Sequence, residues 1–114
     1  MTLEEYFSTG PAREKPIFEA VMAHVSTLGP VHVEPVAVGI FLKRASTFAE
    51  LRPMSKWEAL SFTLPRPARH PAIRRQVIEY HGKYYHVANV GSPDDLDDAL
   101  LGLLTEAYLS APAP

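Results

Sequence analysis

The sequence predicts a two-layer α+β sandwich, in which an N-terminal and a C-terminal helix cover one face of a mostly antiparallel sheet of five to six strands. Three observations support this fold class. Apolar residues recur at helical spacing near both ends of the chain, they alternate at strand spacing through its middle, and the connections are too short for many parallel crossovers. The order helix, strands, helix therefore favours packing of both helices against one side of a single sheet.

Length and composition predict one domain. The chain has 114 residues, of which 46% are hydrophobic, enough to build a core. We expect the domain to span 1–110 and a disordered tail to occupy 111–114. The absence of cysteine excludes disulfides, thiolate catalysis and cysteine-based zinc sites. The N-terminus lacks a basic lead and an apolar run, and no stretch is long enough to cross a membrane, so we expect a cytoplasmic protein without membrane contact.

The N-terminal part predicts two helices. Thr2, followed by Glu5 three residues later, is a capping box for a short helix that Gly10-Pro11 ends. A second helix begins within 12–16 and stops at Gly29-Pro30. Its predicted apolar face consists of Ile17, Phe18, Val21, Met22, Val25 and Leu28.

The middle of the chain predicts strands over 31–34, 36–43, 47–52 and 57–64, because apolar and polar residues alternate there. The predicted inward side chains are Val36, Val38, Ile40, Leu42, Ala49, Leu51, Leu60, Phe62 and Leu64. A final hairpin is predicted from 73–80 and 83–90, with its turn at His81-Gly82. Its register stays open, since both faces of these two strands carry apolar residues.

The C-terminal helix has the most complete signals. Ser92 is the predicted N-cap, Pro93 the first helical residue, and Asp94 and Asp95 fill the first turn. The predicted apolar stripe is Leu96, Ala99, Leu100, Leu103, Leu104, Ala107 and Tyr108. The acidic residues at its start are explained by the helix dipole. We therefore expect no metal site there, and no pattern elsewhere predicts a metal or a cofactor.

Charge is distributed unevenly along the chain. Residues 43–86 contain nine Lys or Arg and three Glu, a net charge of +6, whereas the flanks together carry −8. The overall charge of −2 therefore conceals a basic centre between acidic ends. Such a centre is typical of a surface that meets an anionic partner.

Alternation also predicts what the uncovered sheet face carries. That face should hold Phe41, Lys43, Phe48, Arg52, Trp57 and Thr63, joined by Tyr84 and His86 or else by Tyr85. Aromatic rings stack on flat groups, and guanidinium groups bind phosphate or carboxylate. The predicted ligand-binding residues are Lys43, Arg44, Phe48, Arg52, Trp57, Tyr85 and His86, with a basic rim of Arg66, Arg69, Arg74 and Arg75. Ordinary strand composition, or a homodimer that buries this face, would give the same pattern.

No catalytic constellation is present in the sequence. It contains neither a nucleophile elbow nor a glycine-rich phosphate loop, so no catalytic residue is predicted. The favoured hypothesis is a binding module for an anionic small molecule or an acidic protein segment, as a monomer or a homodimer. Nucleic-acid binding is the first alternative, although the net charge of −2 counts against it. An enzyme that uses Arg52 and His86 on a small acid is the second.

Several short runs together resemble one family. They are 2–7, 48–53 (Phe-Ala-Glu-Leu-Arg-Pro), 60–64, 84–87, 92–97 and 107–108. With these runs the chain resembles an uncharacterised bacterial domain, the domain of unknown function 5655, over nearly its whole length. The resemblance implies no established activity. It marks Phe48, Arg52, Tyr85 and His86 as positions to test.

Overall fold

The helices and strands follow the predicted order. The computed structural model describes residues 1–9 and 15–113. The elements are α1 (Leu3–Ser8), α2 (Lys15–Val25), β1 (His32–Val36), β2 (Gly39–Lys43), β3 (Thr47–Pro53), β4 (Glu58–Leu64), β5 (Ile78–Tyr80), β6 (Lys83–Val90), a 3-10 turn (Pro93–Asp95) and α3 (Asp98–Ser110). The predicted break at Gly10-Pro11, residues 12–14 of the predicted helix start at 12–16, and Pro114 of the predicted tail lie outside the described residues.

The six strands form one open sheet in the order β1-β2-β3-β4-β6-β5, and every neighbouring pair is antiparallel. α3 lies on β3 and β4 and also contacts α2. The predicted α+β fold class is therefore confirmed. None of the helices in the described part of the chain combines the length and the apolar character that a bilayer crossing requires.

The core forms where strand alternation predicts it. Seven of the predicted inward strand residues are at most 2% exposed: Ile40, Leu42, Ala49, Leu51, Leu60, Phe62 and Leu64. The helices add Ile17, Phe18, Val21 and Val25 from α2, and Leu100, Leu104, Ala107 and Tyr108 from α3. Burial of a large aliphatic or aromatic side chain contributes about 1.5–3 kcal/mol, so this layer is the main source of stability.

The predicted strand over 36–43 is wrong at its first residues. Val36 pairs with Gly39 across a two-residue turn, so the segment belongs to a hairpin of β1 and β2. Val38 is consequently 56% exposed, and Val36 is only half-buried. Apolar residues continue to alternate through this short turn, so the sequence pattern gave no sign that the strand ends there. Pro35 is tolerated because β1 is an edge strand.

The register of the final hairpin is set by its turn. Ile78 pairs with Tyr85, and Tyr80 pairs with Lys83. His81 and Gly82 have φ angles of 51° and 78°, and a type I′ hairpin turn requires positive values at both positions. The predicted strand 73–80 shortens to three residues, apart from one isolated bridge between Ile73 and Ala88.

The helix starts agree with the sequence at one end of the chain and differ at the other. The capping box of α1 is confirmed, with reciprocal Thr2 and Glu5 hydrogen bonds of 3.1 Å. The prediction that Ser92 caps the last helix is wrong. Ser92 precedes a separate 3-10 turn, and Asp97 caps α3 by accepting the Leu100 N–H at 2.8 Å. This hydrogen bond is the main cause of the lowered pKa of Asp97. The hydrogen bond with His70 lowers the pKa further, by a smaller amount.

Gly102 offers a simple test of helix propensity in α3. It is exposed on the helix, and an added Cβ would meet no atom within 4 Å. Gly102→Ala is therefore expected to raise the free energy of unfolding by about 0.5–1 kcal/mol, because alanine loses less backbone entropy in a helix. Urea unfolding measures this change, and a destabilised variant would show that α3 is packed more tightly here than described.

Candidate functional site

The open sheet face is the side of the sheet away from the helices. Of the predicted site it carries Phe41, Lys43, Arg52, Thr63 and Tyr85. Thr63 pairs with Tyr85, which is 45% exposed. Tyr85, rather than Tyr84 and His86, therefore provides the aromatic ring of β6 on this face.

The two predicted cations of the open sheet face are already paired. Lys43 forms an ion pair with Glu34, and Arg52 Nη2 lies 3.7 Å from Glu50 Oε1. The Lys43 ammonium lowers the pKa of Glu34. Exposed pairs of this kind stabilise a fold by only about 0–1 kcal/mol, but they do reduce the positive field. The open sheet face is therefore mixed in charge instead of basic.

Phe48 lies beneath the helices, so its predicted place on the open sheet face is wrong. Leu42 pairs with Ala49 and Lys43 with Thr47, which leaves Phe48 as the extra residue of a β-bulge. Its ring is 1% exposed and packs edge-on against Tyr108, with 5.3 Å between ring centroids. The bulge breaks the alternation on which the prediction rested.

Arg44 stabilises the C-terminus of α3. Its guanidinium lies 4.2 Å from the centroid of the Tyr108 ring. Nη1 donates to the carbonyls of Tyr108 and Ala111 at 2.9 and 3.0 Å. A cation that binds the last carbonyls of a helix also interacts favourably with the helix dipole. This predicted ligand-binding residue is thus occupied by contacts within the fold.

His86 also lies on the helix-covered side, against the prediction for the open sheet face. It is 1% exposed and stacks on Phe62 with an interplanar angle of 2°. Nδ1–H donates to the Tyr84 carbonyl at 2.9 Å, while Nε2 accepts the Ala68 N–H at 2.9 Å. Burial lowers its pKa, so the neutral ring is favoured. With both nitrogens engaged, this ring has no free site for a substrate proton.

The arginine loop, residues 65–77, has almost no regular secondary structure, but hydrogen bonds hold it in place, and we call it braced for that reason. The Ala68 N–H donates to His86 Nε2, and the Ala72 carbonyl accepts the Asn89 N–H, both at 2.9 Å. Inside the loop, His70 Nδ1 accepts the Ala72 N–H at 3.0 Å. Prolines at 65, 67 and 71 add further restriction of the backbone. The loop is therefore held in one shape by contacts within the fold.

Most of the unpaired cations of the basic centre lie at or beside this loop. Arg66 is engaged by Glu106 through two contacts of 2.9 and 2.6 Å. In contrast, no carboxylate of the described residues lies within ion-pair distance of the other three rim arginines or of Lys56. Lys83, at the start of β6, is also without an ion pair among the described residues. The free positive charge of the basic centre is thus carried by Lys83 and by four cations at or beside the arginine loop, Lys56, Arg69, Arg74 and Arg75.

Two adjoining hollows expose the four cations at or beside the arginine loop. Arg69 and Arg75 line the first, of about 470 Å³, which we call the arginine hollow. Lys56, Trp57 and Arg74 line the second, of about 670 Å³, which we call the tryptophan groove. His70 and Pro71 contribute to both hollows. Trp57, predicted for the open sheet face, instead lies in the turn between β3 and β4, at the end of the sheet.

The pair formed by His70 and Asp97 resembles part of a catalytic site, but its geometry argues against proton transfer. Nε2 of His70 lies 2.9 Å from Asp97 Oδ1. Nδ1 accepts the backbone N–H of Ala72 and so cannot accept a proton from a substrate. The pair therefore ties the arginine loop to the start of α3.

A protein-family match covers almost the whole chain. The model of a domain of unknown function, DUF5655, matches residues 3–111 of the 114 in the chain. The chain belongs to the DUF5655 family. No curated protein and no solved structure matches it. The family resemblance predicted from short runs is confirmed, and it brings no activity with it.

Sequence reasoning about this DUF5655 domain did not assign Lys56 to the site and did not pair Lys43 with Glu34. Lys56 directly precedes Trp57, which was a predicted ligand-binding residue. This adjacency is the signal that could have added Lys56 to the candidate site. Glu34 and Glu50 share the open sheet face with Phe41, to which both are paired. Of the four positions that the resemblance marks, Arg52 and Tyr85 lie on the open sheet face, and Phe48 and His86 lie in the core.

Proposed function

We propose that this DUF5655 domain is a binding module that recognises an acidic segment of a partner protein through the arginine loop. The observation that carries the proposal is the division of the cations. Lys43, Arg44, Arg52 and Arg66 are engaged within the fold, whereas the cations of the arginine hollow have no carboxylate partner among the described residues. Unpaired arginines on a braced loop are suited to charge-assisted hydrogen bonds.

The lining of the arginine hollow favours a protein segment over a bare anion. In addition to Arg69 and Arg75, it is lined by Ala68, Ile73 and Val77, which provide apolar surface. A segment with carboxylates beside an aliphatic side chain would satisfy both kinds of surface. The absence of cysteine also fits a reducing compartment, and the proposal includes a bacterial cytoplasmic location.

A labelled peptide of repeated Glu-Glu-Leu tests the proposal by fluorescence anisotropy. We expect saturable binding that weakens between about 50 and 200 mM salt, since exposed charges are screened. Arg69→Gln with Arg75→Gln should weaken binding at least about tenfold, because each guanidinium–carboxylate hydrogen bond contributes about 1.5–3 kcal/mol.

The matched control is Lys43→Gln with Arg52→Gln, which removes the same charge from the open sheet face. Binding by this variant should fall by less than about twofold, because only the small, screened effect of long-range charge is lost. Equal losses in both double variants would overturn the assignment to the arginine loop. Tighter binding of a labelled oligonucleotide than of the peptide would replace the proposal by nucleic-acid recognition.

A further inference from the structure

The tryptophan groove carries opposite charges that do not neutralise one another. Lys56 and Arg74 contribute cations to it, and Asp94, Asp95 and Asp97 contribute carboxylates. Neither cation forms an ion pair with any carboxylate of the described residues. Opposite charges that line one groove without contact leave room for a ligand that bridges them.

Within the described part of the chain, two of the three carboxylates are engaged and one is not. Asp95 Oδ2 accepts the N–H groups of Gly91 and Ser92 at 2.7 and 3.3 Å. Asp97 accepts the Leu100 N–H and contacts His70. Asp94 is exposed and makes no such contact within the described part of the chain. It is therefore the carboxylate that can take a cationic group from a ligand.

The groove also has an aromatic wall and suitable dimensions. Trp57 is half-buried and lines it together with Pro71 and Ala72, which adds apolar surface to a groove that also holds charged residues. Its volume of about 670 Å³ falls within the range of about 300–1,000 Å³ that is typical of small-molecule sites. An anion alone would be repelled by the acidic side, and a cation alone by the basic side.

We propose that the tryptophan groove binds a small zwitterion of the amino-acid or short-peptide class. Its ammonium group pairs with Asp94, its carboxylate binds Arg74 and Lys56, and its body packs on Trp57. This site is separate from the arginine hollow, and the proposal does not depend on recognition of an acidic segment there.

Trp57 is the single tryptophan of the chain, so its fluorescence reports on the groove directly. Glycine, alanylalanine and tetra-alanine form a length series, in which an extended dipeptide spans about 7 Å. Because ligands this small bind weakly, the titration extends to about 10 mM. We expect at least one of the three to change the emission saturably and to shift the amide resonances of Asn89 and Gly91, which also line the groove.

Removal of either charge from the ligand should weaken binding at least about tenfold. The probes are the N-acetyl form, which lacks the ammonium, and the C-terminal amide, which lacks the carboxylate. Asp94→Asn and Arg74→Gln should weaken the parent ligand by a similar factor. Asp98→Asn is the matched control, since Asp98 is exposed near the groove but does not line it.

Two results would overturn the proposal. One is the absence of any saturable change in both fluorescence and amide shifts across the length series. The other is binding that survives N-acetylation or Asp94→Asn, which would show that only an anion is recognised. Loss of acidic-peptide binding on Arg69→Gln with Arg75→Gln concerns the arginine hollow and has no bearing on this test.

Discussion

Replacement of His86 with Ala is expected to lower the free energy of unfolding by about 3 kcal/mol and the melting temperature by about 10 °C. The variant loses a fully buried ring stacked on Phe62, and it leaves the Ala68 N–H and the Tyr84 carbonyl without their partner. Thermal and urea unfolding followed by circular dichroism measure the change.

Two further variants separate packing from hydrogen bonding. His86→Phe keeps an aromatic ring of similar size but leaves both polar groups unsatisfied, so it should recover only part of the loss. His32→Ala, on the exposed side of β1, should change stability by less than about 0.5 kcal/mol. Equal stability of the His86→Ala variant and the parent protein would contradict the role of His86 as the anchor of the arginine loop.

The same residue predicts a pH dependence. Burial lowers the pKa of His86 below its ordinary value of 6.5, so the unfolded chain binds a proton at a pH where the folded protein does not. The stability that His86 contributes is therefore fully present above pH 6.5 and is lost as the pH falls below that value toward the folded pKa. The slope from this one group reaches at most about 1.4 kcal/mol per pH unit.

Urea unfolding between about pH 5 and pH 8 isolates this effect from the carboxylates. Glu5, Glu34 and Asp97 have lowered pKa values, so their contributions disappear only in the acidic range below 4.5. The stability of His86→Phe should fall less steeply below pH 6.5 than that of the parent protein. Parallel curves for the two proteins would show that another group governs this range.

The second large effect is expected at Gly39, the first residue of β2. A Cβ there would lie 2.5 Å from the Leu51 carbonyl oxygen and 3.6 Å from Arg52 Cα. Both are backbone atoms of the paired strand β3, so they cannot move aside as the end of a side chain can. Gly39→Ala should therefore cost about 3 kcal/mol, at the upper end for overpacking.

Chemical unfolding of Gly39→Ala beside Gly102→Ala gives a matched test, because the same methyl group is added in both. The two variants should change stability in opposite directions. Near-neutral behaviour of Gly39→Ala would mean that β2 and β3 are less closely apposed at Leu51 than the structure shows.

Strand alternation was sufficient to predict the sheet and most of its core, because the buried side of β2, β3 and β4 keeps its period of two over most of each strand. It failed at Phe48, where a bulge adds one residue, and it left the face of His86 undecided, in a strand with apolar residues on both faces. Neither feature has a reliable signature in a single sequence. Once the alternation is interrupted, only the hydrogen-bond partners decide which face a residue takes.

Which basic residues are available at the candidate site depends on hydrogen bonds and ion pairs between residues far apart in the sequence, and no local pattern contains these. Arg44 binds carbonyls near residue 110, and Arg66 binds Glu106, 40 residues away. The excess of basic residues over 43–86 was visible in the sequence, but which of them stay unpaired is decided by tertiary contacts. The sequence could therefore predict a basic segment but could not show that most of its free charges lie at or beside the arginine loop.

The two edges of the sheet differ in how readily they could accept another strand. At one edge, Pro35 lacks an N–H, and Glu34 adds charge, so strand β1 is a poor template for intermolecular pairing. At the other edge, β5 is only three residues long, yet its Ile78 and Tyr80 are 63% and 62% exposed. Resistance to aggregation at high concentration therefore depends on how short β5 is, and any change that lengthened this strand would weaken that protection.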